Sequence, residues 1–250
     1  MSTRLLLWDA SLTRLHLLKC RGTLVPARKL IESLLGWPGL TPAQTLHLLG
    51  EVATVCRLSG LLRRERGFLR RAIVLNPRDG TLYFQLGRAF EDDPSGCDRK
   101  ACRAYEKAVA LNSDAPQFRA NLGRAMVRIN ERLRGVRVLC EAAEAAPTDP
   151  DVLQVVLEGL REAGECELAC TVLCKSRFQA PTCQRLLQLW QRAKYDLARQ
   201  TQRSHAGTNR VRPFLRVISV EGEVKRRDTH SNPKPHFGSL RAFRTDRGQH

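Results

Sequence analysis

The 250-residue chain has no long apolar segment and few aromatic residues. No apolar run approaches the ~18 residues of a membrane-spanning helix, so we expect no membrane span. Trp, Tyr and Phe make up only 6% of the residues, and Leu, Ala and Arg dominate, which favours helices over a β-rich fold. Hydrophobic residues still account for 42% of the chain, enough to bury a core in one elongated unit or two compact ones.

A regular cysteine spacing is also missing. The nine cysteines are an odd number without the pattern of a disulfide framework, which predicts a reducing compartment and a cytoplasmic location. The N-terminal segment is interrupted by Asp9, Arg14 and Lys19 and lacks the apolar centre of a secretory signal. Because Asp9 is the only acidic residue before Glu32, a mitochondrial transit peptide is a minor alternative.

Motifs that indicate catalysis are scarce. The sequence contains no HExxH, no GxSxG and no glycine-rich phosphate loop. Of the six histidines, His16 and His47 lie in helical patterns, and the other four lie after residue 200. We therefore predict a protein that is not an enzyme and uses no cofactor and no metal, although a site assembled from distant residues would leave no local motif.

Three cysteines lie on one predicted helix face. Cys166, Cys170 and Cys174 are spaced four residues apart, and Cys183 follows them. A structural zinc site usually has a CxxC knuckle that brings two sulfurs to one ion, and this spacing lacks it. Cysteine is also common as a small buried hydrophobe. We interpret these cysteines as packing residues and keep metal or redox use as the alternative.

A recurring motif runs through the middle of the chain. In LYFQLGRAF, residues 82–90, an aromatic residue, a Leu-Gly pair and a second aromatic residue share one helix face. In FRANLGRAM, residues 118–126, the Leu-Gly pair returns at the same offsets. Gly in a helix costs about 1 kcal/mol relative to Ala. Its recurrence therefore predicts that another segment approaches the helix closely at Gly87 and at Gly123.

The motif is part of a repeat of about 34 residues. The units end at Pro77, Ser113, Pro147 and Pro181, which are 36, 34 and 34 residues apart. The longer second unit has its two extra residues in EDDPSGCDRK, residues 91–100, which we interpret as a turn of tolerated extra length. A unit of this length with small residues at fixed positions predicts a helix-turn-helix repeat.

The pattern resembles the tetratricopeptide repeat (TPR) family. The second unit matches best, through Tyr83, Leu86, Gly87, Phe90, Ala101, Tyr105 and Ala108. The first unit departs from the family with Ala53 for Gly and Glu65 for Ala, and the fourth has Leu157 at the small position. The resemblance implies an all-α fold, a right-handed helical solenoid of stacked antiparallel helix pairs.

The resemblance and the helical periodicity together divide the chain. We predict a degenerate N-terminal helix pair, acting as a cap, in residues 1–41, and four repeats within 42–181, at 46–79, 80–115, 116–149 and 150–183. Residues 184–200 are predicted to form a C-terminal capping helix, and 201–250 a basic, largely disordered tail. Thr41 and Pro42 predict the N-cap and first turn of repeat one.

The resemblance also implies where a partner binds. In TPR proteins the first helices of successive repeats line a concave groove that receives a peptide. The matching positions here are Thr54, Arg57, Gln85, Arg88, Asn121, Arg124, Arg128 and Gln154. Asn and Gln can hydrogen-bond an extended backbone, and Arg can bind carboxylates through two N–H groups. We therefore expect a protein-interaction scaffold or adaptor that binds a peptide, with an acidic peptide favoured.

The charge of the chain suggests a different class of partner. The net charge is +17, and residues 201–250 contain 11 Lys and Arg against four acidic residues. A basic tail with Lys225, Arg226 and Arg227 could neutralise phosphates without sequence preference. The alternative function is therefore a nucleic-acid-associated protein that binds phosphate backbones through the tail and its Arg-rich helices.

Overall fold

The computed structural model describes residues 2–95, 97–180 and 182–206, with side chains between residues 7 and 203 except at 96, 177, 178 and 181. This part of the chain contains eleven α-helices and no strand. The helices are α1 (Ser2–Cys20), α2 (Leu24–Leu35), α3 (Pro42–Leu58), α4 (Leu62–Leu75), α5 (Gly80–Glu91), α6 (Asp98–Leu111), α7 (Pro116–Arg128), α8 (Arg132–Ala145), α9 (Pro150–Glu162), α10 (Cys166–Gln179) and α11 (Gln184–Ala206).

The helices pack in the order of the chain. α1 packs on α2, α3 on α4, α5 on α6, α7 on α8 and α9 on α10, and α11 contacts both α9 and α10. Each pair also contacts the next, because α4 packs on α5, α6 on α7 and α8 on α9. Since contacts join neighbouring pairs and not distant ones, the architecture is the predicted all-α solenoid.

Local signals set the ends of the first helix in most repeats. The Thr41 hydroxyl accepts a hydrogen bond from the backbone N–H of Gln44, whose side chain accepts one from the Thr41 N–H. This capping box confirms the predicted start of α3. After α3, α7 and α9 the chain passes through a residue with positive φ, at Gly60 (69°), Asn130 (70°) and Gly164 (77°). These residues end the first helix and turn the chain toward the second.

Small residues mark the places where two helices of a pair cross. A Cβ atom on Gly87 would lie 2.6 Å from Cε1 of the Tyr105 ring, and one on Gly123 would lie 2.9 Å from the backbone oxygen of Gly135. The close approach that the two Leu-Gly pairs predict is therefore confirmed. At Gly123 the neighbours are the side chain of Leu139 and the backbone of Gly135 and Leu139, whereas at Gly87 the neighbour is the aromatic ring of Tyr105.

The turn between α5 and α6 is attached to the preceding repeat. The Arg66 guanidinium donates to Asp93 at 2.8 Å and to the backbone oxygen of Ala89 at 2.8 Å. Hydrogen bonds from the backbone N–H and the hydroxyl of Ser95, with a smaller effect of Arg66, lower the pKa of Asp93 to about 2. The turn thus makes a tertiary contact through Asp93 in addition to lengthening the repeat.

The last helix is longer than the sequence suggested. α11 continues to Ala206, so the predicted end at Gln200 and the predicted start of the tail at residue 201 are wrong. Residues 198–206 contain no Gly or Pro, and the first such residue is Gly207, so the sequence offers no stop signal at Gln200. The remainder of the predicted tail, residues 207–250, lies outside the described residues.

Candidate functional site

A groove of about 410 Å³ runs along the first helices of repeats two, three and four. Residues at equivalent positions of α5, α7 and α9 line this groove. Arg88, Arg124 and Glu158 line it at intervals of 36 and 34 residues, and Gln117 and Asp151 at an interval of 34. Because these intervals equal the repeat lengths, stacking of the repeats is what forms the groove.

The structure brings half of the predicted site residues together. Arg88, Asn121, Arg124 and Gln154 line the groove. The other four predicted residues are not among the described residues that line the groove. They are Thr54, Arg57, Gln85 and Arg128. Arg128 instead lines a separate cavity of about 500 Å³ beside Cys97 and Asn130. The site therefore lies further toward repeat four than the sequence suggested.

Several groove residues were missed by the sequence reasoning. Phe84, Gln117, Asp151 and Val155 all line the groove. Each lies three, four or seven residues before Arg88, Arg124 or Glu158, and such spacings place residues on one helix face. Applying the same offsets to every repeat would have found them.

Two of the predicted ligand-binding arginines are already engaged. Arg124 donates to Glu91 at 2.8 Å and to Glu158, and its side chain is 15% exposed. Arg128 donates to Glu91 at 2.8 Å and, through Nε at 2.9 Å, to Glu162. These ion pairs join repeat three to repeats two and four. Both guanidinium groups therefore already bind carboxylates of the solenoid itself.

Tyr105 connects this ion-pair network to the helix crossing. Its hydroxyl donates to Glu91 at 2.7 Å, and its ring packs over Gly87. Burial and the neighbouring Glu91 carboxylate raise the pKa of Tyr105 well above its usual range, so the hydroxyl stays a proton donor. The motif tyrosine therefore holds Glu91 at the edge of the groove.

The groove amides are partly satisfied within the protein. Asn121 donates through Nδ2 to the backbone oxygen of Gln117 at 2.8 Å. Gln154 donates to Glu158 at 3.3 Å and accepts from Arg185 at 3.2 Å. The Gln117 side chain makes no hydrogen bond within the described residues and is exposed. Gln117 is thus a polar group of the groove that is open to a ligand.

Carboxylates outnumber cations in the groove. The carboxylates are Glu91, Asp92, Asp151 and Glu158, and the cations are Arg88 and Arg124. Within the described residues, Arg88 forms no ion pair, in contrast to Arg124. An apolar contribution comes from Val155 and from Phe84, whose ring stacks on Phe118 with centroids 4.6 Å apart.

No protein-family model matches the chain, and no curated protein matches it by sequence. A solved TPR protein from Parabacteroides merdae is similar with a TM-score of 0.61 and 12% identity, over 80% of this chain and 76% of its own. One from Thermus thermophilus has a TM-score of 0.55 and 20% identity, over 76% and 98%. YrrB, described as a TPR protein with an unusual peptide-binding site, has a TM-score of 0.51 and 16% identity, over 71% and 89%. The chain has the fold of a TPR solenoid.

The TPR solenoid contains a buried carboxyl group in its first repeat. Glu65 of α4 is 2% exposed, and its Oε2 atom has no hydrogen-bond partner among the described residues. Burial raises the pKa of Glu65 to about 7, with Asp92 adding to the rise and Arg57 and Arg88 opposing it. Glu65 stands where the family has Ala, so this carboxyl group is a departure from the TPR pattern.

The cysteines of the TPR solenoid are free thiols. Cys166 is buried, Cys170 and Cys174 are half-buried, and burial raises the pKa of Cys166. A protonated, buried thiol such as that of Cys166 is a poor nucleophile and a poor metal ligand. Within the described part of the chain, no group of three or more His, Cys, Asp or Glu side chains is arranged to hold a metal. The burial of Cys166 and the partial burial of Cys170 and Cys174 support their interpretation as packing residues.

Two further expectations concern the surroundings of the protein. None of the described helices combines the length and the apolar content that crossing a bilayer requires. Lys225, Arg226 and Arg227 of the basic tail lie outside the described residues. The described structure therefore provides no support for the alternative of nucleic-acid binding through that tail.

Proposed function

We propose that this TPR solenoid is a non-catalytic interaction module that binds an extended peptide segment of a partner protein between α5, α7 and α9. The observation that carries the proposal is the lining of the groove by equivalent positions in three consecutive repeats. Such a lining presents similar groups at regular intervals, which suits an extended chain better than a compact small molecule. A peptide-binding site is also named for YrrB, whose fold is similar.

Three kinds of groups define the peptide. Gln117 and Gln154 offer amides to its backbone, and Phe84 and Val155 offer apolar contact to one side chain. Arg88 offers a guanidinium without an ion-pair partner in the described structure. The peptide therefore carries an apolar residue near Phe84 and one acidic group beside Arg88.

The charges of the groove revise the preference for an acidic peptide. Glu91 and Glu158 already compensate Arg124, Asp151 is paired with Arg185 at 2.6 Å, and Asp92 adds a carboxylate without an ion-pair partner in the described structure. A strongly acidic segment would find one unpaired cation, Arg88, and would be repelled by Asp92. We therefore propose a single acidic group at Arg88 in a peptide that is otherwise neutral or basic.

A peptide selection tests this function. A random peptide library is selected on the full chain, and the dissociation constants of the selected peptides are measured by fluorescence anisotropy. Arg88→Glu is expected to weaken binding at least tenfold, because it replaces the available cation by a further carboxylate. Arg137→Glu is the matched control, since it makes the same charge change at an exposed residue of α8 that does not line the groove.

Two outcomes would contradict the proposed function. One is that selected peptides bind both variants as tightly as the unmodified chain. The other is that Arg137→Glu weakens binding as strongly as Arg88→Glu, which would indicate a response to total charge and not to the groove.

A further inference from the structure

The second helices of the first two complete repeats carry an unusual concentration of cations. α4 contains five arginines and a single acidic residue, the buried Glu65. α6 contains four cations against Asp98 and Glu106. Residues 1–200 as a whole contain 31 Lys and Arg against 21 acidic residues, so the basic tail explains only part of the excess of positive charge.

These cations lie on one face of each helix. In α4, Arg63, Arg64, Arg70 and Arg71 are exposed, whereas the intervening Leu69 and Ala72 are buried. The exposed positions are spaced as i, i+7 and i+8, which places them along one side of a helix. We name the eight exposed cations of the two helices the α4–α6 basic face, and they are Arg63, Arg64, Arg70, Arg71, Arg99, Lys100, Arg103 and Lys107.

The face repeats from one unit to the next. Arg63, Arg64 and Arg71 are each followed 36 residues later by a cation, at Arg99, Lys100 and Lys107, and 36 residues is the length of this repeat step. One repeat further on, the positions equivalent to Arg99 and Lys107 are Leu133 and Glu141, whereas those equivalent to Lys100 and Arg103 are the exposed Arg134 and Arg137. The pattern of α4 and α6 is therefore only half retained on α8, where Arg134 is paired with Glu131.

The fold does not pair these cations with carboxylates. Within the described residues, none of the eight forms an ion pair or a side-chain hydrogen bond, in contrast to Arg66, which is paired with Asp93. Arg63 and Arg64 occupy the first turn of α4, where the positive end of the helix dipole disfavours them. Their charge is thus unfavourable for the isolated solenoid and available to a partner.

Two of the guanidinium groups are already held in place. The Arg71 guanidinium carbon lies 5.9 Å from the centroid of the Phe68 ring, and that of Arg70 lies 5.8 Å from the centroid of Phe90. Stacking on a ring restricts a guanidinium group while leaving its N–H donors free. Arg63 and Arg71 are eight residues apart, about 12 Å along the helix, a distance that spans three to four phosphates of a nucleic-acid strand.

We propose that the α4–α6 basic face binds the phosphate backbone of a double-stranded nucleic acid. Six of its eight cations are arginines, whose planar fork fits phosphate oxygens. No described aromatic side chain on α4 or α6 is fully exposed, so the face offers no platform for unstacked bases and no aromatic anchor for a membrane surface. The proposed interaction makes no contacts with the bases and is therefore independent of sequence. It uses helices α4 and α6, which do not line the peptide groove.

The test measures binding of the full chain to a fluorescein-labelled 20-base-pair DNA duplex between 50 and 200 mM salt. The variant is Arg63→Gln combined with Arg64→Gln, Arg70→Gln and Arg71→Gln, because Gln preserves the helix propensity and removes the charge. The matched control is Lys175→Gln combined with Arg192→Gln, Arg199→Gln and Arg203→Gln, four exposed cations of α10 and α11. Circular dichroism and the melting temperature check that each variant is folded.

The proposal predicts at least tenfold weaker binding of the fourfold variant at 100 mM salt, with a much smaller change for the control. The slope of log K against log salt should flatten by about 2 to 4, since each lost phosphate contact removes roughly 0.9. Wild-type affinity and slope in the folded fourfold variant would overturn the proposal, because the tail would then carry the binding. Equal binding of phosphatidylserine vesicles and duplex, lost together in the variant, or no duplex binding at all, would overturn it too.

Discussion

At the scale of single residues, Glu65 shows how one departure from the repeat pattern places an ionisable group in the core. The TPR pattern has Ala at this position, and the other repeats have Ala101, Gly135 and Ala169 there. The Glu65 carboxyl group is buried away from water, and its Oε2 atom has no hydrogen-bond partner within the described structure. The protonated form is favoured in the folded state, which is why the pKa of Glu65 rises to about 7.

Glu65 makes the stability of the solenoid depend on pH. The folded pKa lies above the unfolded one, so between about pH 4.5 and pH 7 the folded state holds more protons and the free energy of unfolding falls as the pH rises. Glu65→Gln should remove this contribution. We expect the stabilisation by Glu65→Gln to be about 2 kcal/mol larger at pH 8 than at pH 5.

Urea unfolding of both proteins at the two pH values measures this difference. Taking the difference between variant and unmodified chain cancels the titration of all other groups. Equal effects of Glu65→Gln at pH 5 and pH 8 would show that the carboxyl group is ionised in the folded protein.

At the scale of helices, the glycine at the α5–α6 crossing gives a sharp prediction. A Cβ on Gly87 would lie 2.6 Å from the fully buried ring of Tyr105, so Gly87→Ala should destabilise the fold by about 1–3 kcal/mol. Gly67 of α4 is exposed, and a Cβ there would have no neighbour within 4 Å. Gly67→Ala should therefore stabilise by about 0.5–1 kcal/mol, through helix propensity alone.

The two substitutions are compared by thermal and urea unfolding. They make the same chemical change in neighbouring helices, and their effects should have opposite signs. A Gly87→Ala variant as stable as Gly67→Ala would mean that the helices are not closely packed at this crossing.

The helices themselves followed from local patterns, because apolar periodicity, the Thr41 cap and the Leu-Gly pairs act within one or two turns. Gln200 shows where such reasoning fails, because the change of composition near this residue predicts a helix end although no Gly or Pro stops the helix there. The groove could be predicted only in part. The repeat offsets identify its face, but the ion pairs of Arg124 and Arg128 depend on how the repeats stack, which single-helix patterns do not report.

At the scale of the whole described solenoid, charges are sorted by face. The groove on the first helices holds an excess of carboxylates, and its Arg124 is neutralised by Glu91 and Glu158. The second helices α4 and α6 carry cations without partners in the described structure. This separation predicts two independent partners of opposite character, a peptide in the groove and a polyanion on the basic face.

The central claim, that a peptide lies in the groove, is tested most directly by site-specific photocrosslinking. A benzoylphenylalanine residue replaces either Gln117, which lines the groove, or Glu141, which is exposed on α8 and does not line it. The full chain is then irradiated with a library-selected peptide. Crosslinking from position 117 and not from position 141, abolished by excess unlabelled peptide, is the result we predict. Crosslinking from position 141 alone, or equally from both positions, would contradict the proposed groove.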